Sequence, residues 1–394
     1  MSQSKGPGAT SPAAFPEGRI ALFYLVYFGA LGVFLPYWSL YLRDEGHGAE
    51  AIGALMAIFV GSKIFGPPLL GWLADHTGRA MPWVRGFALL TVLAFLPVFQ
   101  VDGFWAMALV MAVFSLFWNA IVPQFDAVTL RHLGARASEY SRLRSWGSLG
   151  FILAATALGV LVDDFGSGIV PVAALGLLLA IFALSLSVPD AGAPPSLSVP
   201  GSLWGLLCRP VVVAFLGASF LLNASHGSYY AFYTLHLTQF GYSKTVIGML
   251  WSLGVLAEIG LFLVMARLLR AVSVYWLFMV TLGLTALRWL LIGHLADSLV
   301  GLLLAQLLHA LSFGVAHSVA VDFIHRTFTG RLQGRGQALL SSLSYGLGGA
   351  VGLFGSGWVW QHYGPTASFD LAALLALLAV VLMAGRRAAF ERRP

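Results

Sequence analysis

Gly71-Trp72-Leu73-Ala74-Asp75-His76-Thr77-Gly78-Arg79 sits at the junction of two apolar stretches, residues 51–74 and 82–101. Each stretch is near the roughly 20 residues that a helix needs to cross the hydrocarbon of a bilayer. The junction has a physical logic of its own. Gly71 permits close helix packing, Asp75 offers an acceptor to backbone N–H groups or an arginine, and Gly78 permits a tight turn. An ordinary charged turn between two membrane spans has much the same composition.

Moving outward, the same alternation fills the chain. Spans are expected over 19–42, 51–74, 82–101, 104–130, 140–163 and 168–188, then over 210–235, 245–267, 273–294, 298–323, 336–360 and 366–386. Apolar residues make up 59% of the 394 positions and charged residues 10%. A soluble domain is closer to one quarter charged, so lipid is the natural solvent here. Residues 1–18, rich in Gly, Pro, Ser and Ala, are expected to be a disordered cytoplasmic tail. No short apolar core with a cleavage site precedes the first span, which reads as a helix rather than a signal peptide. The expected domains are a first six-helix bundle over 19–189, a linker over 190–209 containing Pro194, Pro195 and Pro200, a second bundle over 210–386, and a tail over 387–394. The one cysteine, Cys208, excludes an intrachain disulfide.

Basic residues set the orientation. With the N-terminus inside, 18 of the 22 Lys and Arg fall on inward-facing segments, Arg43 and Lys244 fall outside, and Lys63 and Arg288 lie within spans. Both termini are therefore expected in the cytoplasm, in a multi-pass protein of the cell membrane. The same asymmetry accounts for the net charge of +6 without a nucleic-acid partner.

The halves repeat. A shift of 195 carries Gly32, Gly46 and Gly53 onto Gly227, Gly241 and Gly248, and Phe34 and Tyr37 onto Tyr229 and Phe232. A shift of 196 carries Asp126, Ser148 and Gly150 onto Asp322, Ser344 and Gly346. Two parallel six-helix repeats, with the Gly71, Asp75, Gly78 and Arg79 junction, resemble the major facilitator superfamily. The fold class expected is an all-α membrane protein with about twelve transmembrane helices in two six-helix bundles.

A narrower resemblance rests on longer stretches. Asp126 followed by Glu139-Tyr140-Ser141-Arg142-Leu143-Arg144-Ser145-Trp146-Gly147-Ser148-Leu149-Gly150-Phe151 resembles the helix four to five region of the lactose permease group. There a helix-four carboxylate and a helix-five arginine contact substrate, a role that would fall on Asp126 and Arg144. His226-Gly227-Ser228-Tyr229-Tyr230, Leu250-Trp251-Ser252-Leu253-Gly254-Val255-Leu256-Ala257-Glu258, Arg288-Trp289, Phe313-Gly314-Val315-Ala316-His317 and Ser344-Tyr345-Gly346-Leu347-Gly348-Gly349 resemble the phenylpropionate permease branch. Glu258 and Arg288 resemble the group's helix-eight carboxylate and helix-nine arginine. The closely spaced helix-ten His and Glu of the sugar transporter are missing. That helix carries His309, His317 and Asp322 instead.

Ionisable groups inside spans cost about 2.5–3.5 kcal/mol each on insertion scales and usually line a cavity. Lys63 and Glu258 are near the middle of spans two and eight, and 63 plus 195 is 258. Repeat-equivalent, they could face each other across the middle, as an anion and proton site or as a structural ion pair locking the halves. Asp126 with Arg144 carries the same two readings. His226, His309 and His317 are candidates to titrate, or single structural hydrogen-bonding groups. Asp322 and His325 share a helix face near the end of span ten. Tyr37, Tyr229, Tyr230 and Trp251 could wall an apolar ligand. No metal-ligand spacing is present. Gly346-Leu347-Gly348-Gly349-Ala350-Val351-Gly352 lies in a span and suits helix packing rather than a nucleotide. No GxxxxGK[ST], HExxH or GxSxG occurs, so neither ATP-driven transport nor a membrane hydrolase is indicated, and no cofactor is expected.

The expected function is proton-coupled symport of a small organic anion, an aromatic acid such as phenylpropionate. Glu258, with His309 and His317, would handle the proton. Lys63 and Arg288 would hold the carboxylate, joined by Asp126, Arg144 and the aromatics. The alternative is a sugar or nucleoside symporter in which Asp126 and Glu258 accept hydroxyl groups. A non-transporting sensor or a membrane enzyme is the other class, disfavoured by the lack of a soluble domain. The partners expected are substrate, protons and bilayer, with the chain acting as a monomer.

Overall fold

The computed structural model describes residues 16–191, 204–329 and 332–391. Most of the expected N-terminal tail and linker, and Arg331, lie outside the described residues. Among the described residues, eleven apolar helical stretches are long enough to cross a membrane, and one of them, 62 residues from Phe104 to Phe165, folds back on itself. The bend is at Gly134–Glu139, where Gly134 takes φ of 52° and Arg136 leaves helical geometry. Twelve crossings result: α1 Glu17–Asp44, α2 Ala49–Thr77, α3 Met81–Phe99, α4 Phe104–Leu133, α5 Tyr140–Phe165, α6 Ile169–Ser187, α7 Pro210–Gln239, α8 Lys244–Ala271, α9 Val274–His294, α10 Leu299–Thr327, α11 Gln333–Tyr363 and α12 Pro365–Met383. Outward-facing side chains such as Leu263 (81% exposed) and Val381 (69% exposed) are apolar, as lipid requires.

α1–α6 and α7–α12 form two bundles whose buried cores meet, with Phe232 and Leu353 packed into the core of the first and Phe151 and Ala155 into that of the second. The repeat glycines show why the halves match. In α1, a Cβ on Gly32 would sit 2.7 Å from the Phe151 carbonyl of α5; in α7, one on Gly227 would collide with the backbone of Gly352 in α11. These approaches hold each bundle together. Gly53 and Gly248 do the same between bundles. A Cβ on Gly53 would lie 2.7 Å from the Leu353 carbonyl of α11, and one on Gly248 would strike the Ala155 carbonyl of α5. Gly46 and Gly241 take φ of 86° and 80° in the turns after α1 and α7, a region open chiefly to glycine.

The two ends of the molecule differ. On the terminal face, near the starts of α1 and α3, Arg19 donates to the Ser187 carbonyl (2.8 Å) and Arg85 to those of Ser185 and Val188. On the opposite, distal face the bundles are stitched together. Tyr37 donates to Ala155 O within its own bundle and lies 3.1 Å from Lys244 O of the other. Ala49 N–H reaches Gln361, Asp163 takes the amides of Lys244 and Thr245, and Thr156 meets Ser252. Toward the terminal face, the end of α2 packs on α3 and α4, and the start of α11 on α10, each within its own bundle. Among the described residues the bundles join on the distal face, while these packings toward the terminal face stay within each bundle.

The chain beyond α12 is not simply a tail. Arg387–Glu391 forms a short helix. Its Phe390 is buried, stacked on Phe323 (4.9 Å) and Phe278 (6.4 Å) and near Phe215 (5.8 Å). Glu391 accepts from Ser273 and Arg387.

Candidate functional site

Lys63 owes its position to a break in α2. Pro67 and Pro68 have no N–H, so the carbonyls of Lys63 and Ile64 lose their helical donors. Asn119 of α4 donates to Phe59 O and Ser62 Oγ, both at 2.8 Å, and Ser62–Ile64 tightens to a 3₁₀ turn. Phe65, two positions on and on roughly the opposite side of the helix, is 67% exposed. The half-buried Lys63 therefore projects inward. Among the described residues its ammonium has no hydrogen bond or ion pair.

Asp126 and Arg144 are near neighbours in the first bundle but form no ion pair. The Asp126 carboxylate accepts the Tyr24 hydroxyl at 2.7 Å, and Thr129 Oγ1 lies 3.0 Å from the same hydroxyl. Arg144 instead stacks on Phe28, 3.7 Å from its centroid, where Gly147 leaves room for it. The guanidinium is within electrostatic reach of Asp126 and also of Glu258 and His317 in the other bundle.

Glu258 of α8 is partly buried against α10. Its carboxylate lies 3.9 Å from His309 Nε2, and Gly314 opposite it leaves space for its methylenes. Lys63 and Glu258 do not form the ion pair that their repeat equivalence allowed; the nearest charged-type partner of Glu258 is His309. α10 and α11 both widen into π-helical turns, over Ala310–Val315 and Ser341–Gly348, a geometry common at functional positions. Between them His317 Nδ1 and the Tyr345 hydroxyl are 2.9 Å apart. They line a cleft with Ser219, Asn223, His226 and Ser312.

Arg288 is fully buried inside the second bundle. Its Nε donates to Ala305 O and its Nη1 to Ser312 Oγ, and the guanidinium lies over the Tyr229 and Trp289 rings at 4.3 and 4.4 Å. Trp251 packs on Tyr229 with ring centroids 4.4 Å apart and the planes tilted. Arg288 thus does not converge with Lys63 on one cavity-facing point, because it is enclosed by its own bundle. Tyr230 packs against side chains of both bundles and is half-buried. Tyr37 is buried at the distal closure, its hydroxyl engaged with α5, away from the other aromatics.

In the α2–α3 junction, Gly78 is left-handed (φ 67°) and ends α2, while Gly71 faces Gln124 of α4. Asp75 is exposed and within electrostatic reach of Arg131. Arg79, Arg85 and Asp190 border a surface hollow on the terminal face. Asp322 pairs with Arg326 at 2.6 Å and His325 bonds Gln333, so these two helix-ten groups serve different partners. Attention to ionisable groups missed the neutral ones that position them: Tyr24, Asn119, Gln306, Ser312 and Tyr345. Amides at mid-span, Asn119 and Gln306, were the available signal.

Two bundles of six membrane helices, joined at one face around charges within the spans, define a membrane transporter. The chain belongs to the MFS_1 like family, whose model matches residues 18–371. It is 31% identical to the "Probable 3-phenylpropionic acid transporter" of Escherichia coli (strain K12), covering 92% of this chain and 96% of that one. It is 28% identical to the "Maltose permease" of Geobacillus stearothermophilus over 95% of this chain and 98% of that protein. In fold it is similar to a mutant form of the nucleoside transporter NupG, with a TM-score of 0.84, 18% identity, and coverage of 95% and 100% of the two chains. These family members are transporters, not enzymes.

Proposed function

We propose that this chain is a proton-coupled symporter of a small aromatic carboxylic acid, working as a monomer in the cell membrane with both termini cytoplasmic. The observation that carries the anion is the pair of cations, Lys63 and Arg144, on the first bundle. Lys63 has no carboxylate partner among the described residues, and Arg144 makes no ion pair, although Asp126 and Glu258 lie within its electrostatic reach. An intramembrane cation without a counterion is costly, and a substrate carboxylate is the group that would offset it. Tyr230, between the bundles, offers a face for the ring. The 31% likeness to a probable 3-phenylpropionic acid transporter supports the same substrate class. Glu258 of α8, beside His309 and within reach of Arg144, is the group proposed to carry the proton, with His317 further along α10, the helix of His309. Rocking of the two bundles would expose this region to each side in turn, with the Gly71, Asp75, Gly78 and Arg79 junction bearing on the terminal side.

A neutral sugar is the second reading. It is favoured by Asp126, an acceptor already holding one hydroxyl from Tyr24, and by the likeness to a maltose permease. Ligand-induced thermal stabilisation of the purified chain separates the two. A ligand that binds only the folded state raises its stability. Saturable stabilisation by 3-phenylpropionate and its relatives, and none by maltose or nucleosides, is the expected result. Stabilisation by sugars alone would reject the acid.

A further inference from the structure

The Arg288 guanidinium has an unusual environment. It is fully buried and forms no ion pair among the described residues. Glu258, the acid of this region, sits with His309 instead. Cation–π contact with Tyr229 and Trp289 offsets only part of the cost of burying a lone charge. Arg288 Nη2, Gln306 Nε2, the Tyr233 hydroxyl, His309 Nδ1 and His226 Nε2 are all buried without a well-formed hydrogen bond, Gln306 and Tyr233 being close neighbours of one another. Apart from His226, which packs on Tyr230 and Trp289, they lie around one ring. Tyr229 donates to Gln306 Oε1 (3.2 Å), lies under Arg288 (4.3 Å), and is 4.8 Å from the Tyr233 ring and 5.9 Å from that of His309.

Arg288 Nη2 and Gln306 Nε2 donate and do not accept, while the hydroxyl and the imidazoles are able to donate. The complementary ligand accepts only and carries one negative charge. Complete burial of Arg288 restricts its size. Ser312, bonded to Arg288, and His226 also line the cleft beside His317 and Tyr345, which gives a route in. We propose that Arg288, Gln306 and the Tyr233 hydroxyl form a small-anion site inside the second bundle, separate from Lys63 and Arg144, for a halide or a small carboxylate.

The test is thermal unfolding of the purified full chain, with sodium gluconate replaced stepwise by sodium chloride, bromide or acetate at constant ionic strength. The wild type is expected to show a saturable rise in midpoint with halide. Lys63→Ala, which weakens substrate-acid binding if the proposed function holds, is expected to leave that rise intact, so the two ideas fail separately. Arg288→Gln is expected to abolish it. Gln306→Leu keeps the charge, is expected to weaken halide binding about tenfold, and carries the test if Arg288→Gln does not fold. An acetate effect lost in saturating chloride makes one site serve both anions, and no acetate effect assigns it to the inorganic ion. Four results overturn the proposal: no halide dependence in the wild type, dependence surviving Arg288→Gln, affinity unchanged by Gln306→Leu, or dependence emerging only in Glu258→Gln. The last would make Glu258 itself the anion that fills the site.

Discussion

Asp163, at the end of α5, caps the first turn of α8 from the other bundle: its carboxylate takes the backbone N–H of Thr245 at 2.8 Å and its hydroxyl at 2.7 Å. The amide of Lys244 adds a third bond at 2.8 Å. A side-chain cap contributes about 0.5–2 kcal/mol, and this one joins two bodies that must separate if the distal face is to open. Asp163→Ala is expected to favour the distally open form several-fold. Spin-label distances between Ser167 and Thr238, in a Cys208→Ser background, report it, and an unchanged distribution argues against a latch.

Gly53 and Gly248 stand at the closest cross-bundle approaches. A methyl at either position forces the helices apart, and overpacking of this kind costs about 1–3 kcal/mol. Gly53→Ala and Gly248→Ala are each expected to slow uptake roughly tenfold or more while the protein remains folded by circular dichroism. Wild-type uptake in both would show that the closure has slack.

Lys63→Ala tests the carboxylate contact. Loss of a charged hydrogen bond costs about 1.5–3 kcal/mol, on the order of ten- to a hundredfold in affinity. The loss is expected for 3-phenylpropionate and not for its uncharged amide, both measured by competition binding. Equal weakening of acid and amide in a folded variant favours the neutral-sugar reading.

Glu258→Gln removes the proposed proton carrier while keeping its shape. Counterflow exchange is expected to continue, and accumulation driven by a pH gradient to stop. Undiminished accumulation in proteoliposomes would move the coupling to another group.

Phe390→Ala empties an aromatic seat among Phe215, Phe278 and Phe323. Such truncations cost about 3–5 kcal/mol in soluble cores, and a clear fall in the unfolding midpoint is expected. Beside it, the Ser273 hydroxyl, followed by Arg387, holds the Glu391 carboxyl below the usual range. Its support is therefore whole above about pH 4.3 and fades as pH falls through the depressed value. Glu391→Gln is expected to flatten that acid dependence, and an identical profile in the variant would assign it elsewhere.

The architecture was legible because membrane spans are long and glycines recur. Gly32 with Gly227, and Gly53 with Gly248, were matched by spacing alone, and each pair performs one steric task in both halves. The site was legible only as a set of charges. Spacing placed Lys63 and Glu258 in equivalent positions but said nothing of Pro67, Pro68 and Asn119, which break α2 and turn the lysine inward. Nor could it separate Asp126 from Arg144, since a tyrosine 102 positions away takes the carboxylate. Such pairings depend on which helices adjoin, and linear spacing carries that information poorly.

Phe390 also bears on the order of assembly. Its neighbours Phe215, Phe278 and Phe323 are made well before it, and their shared gap cannot be filled until residue 390 emerges. Chains are synthesised at about 5–20 residues per second, and domains nearer the start fold first. The first bundle can therefore begin its packing earlier in translation, while the second stays unsealed until residue 390 has left the ribosome. In that interval three aromatic rings are available to whatever folding factor attends the nascent protein.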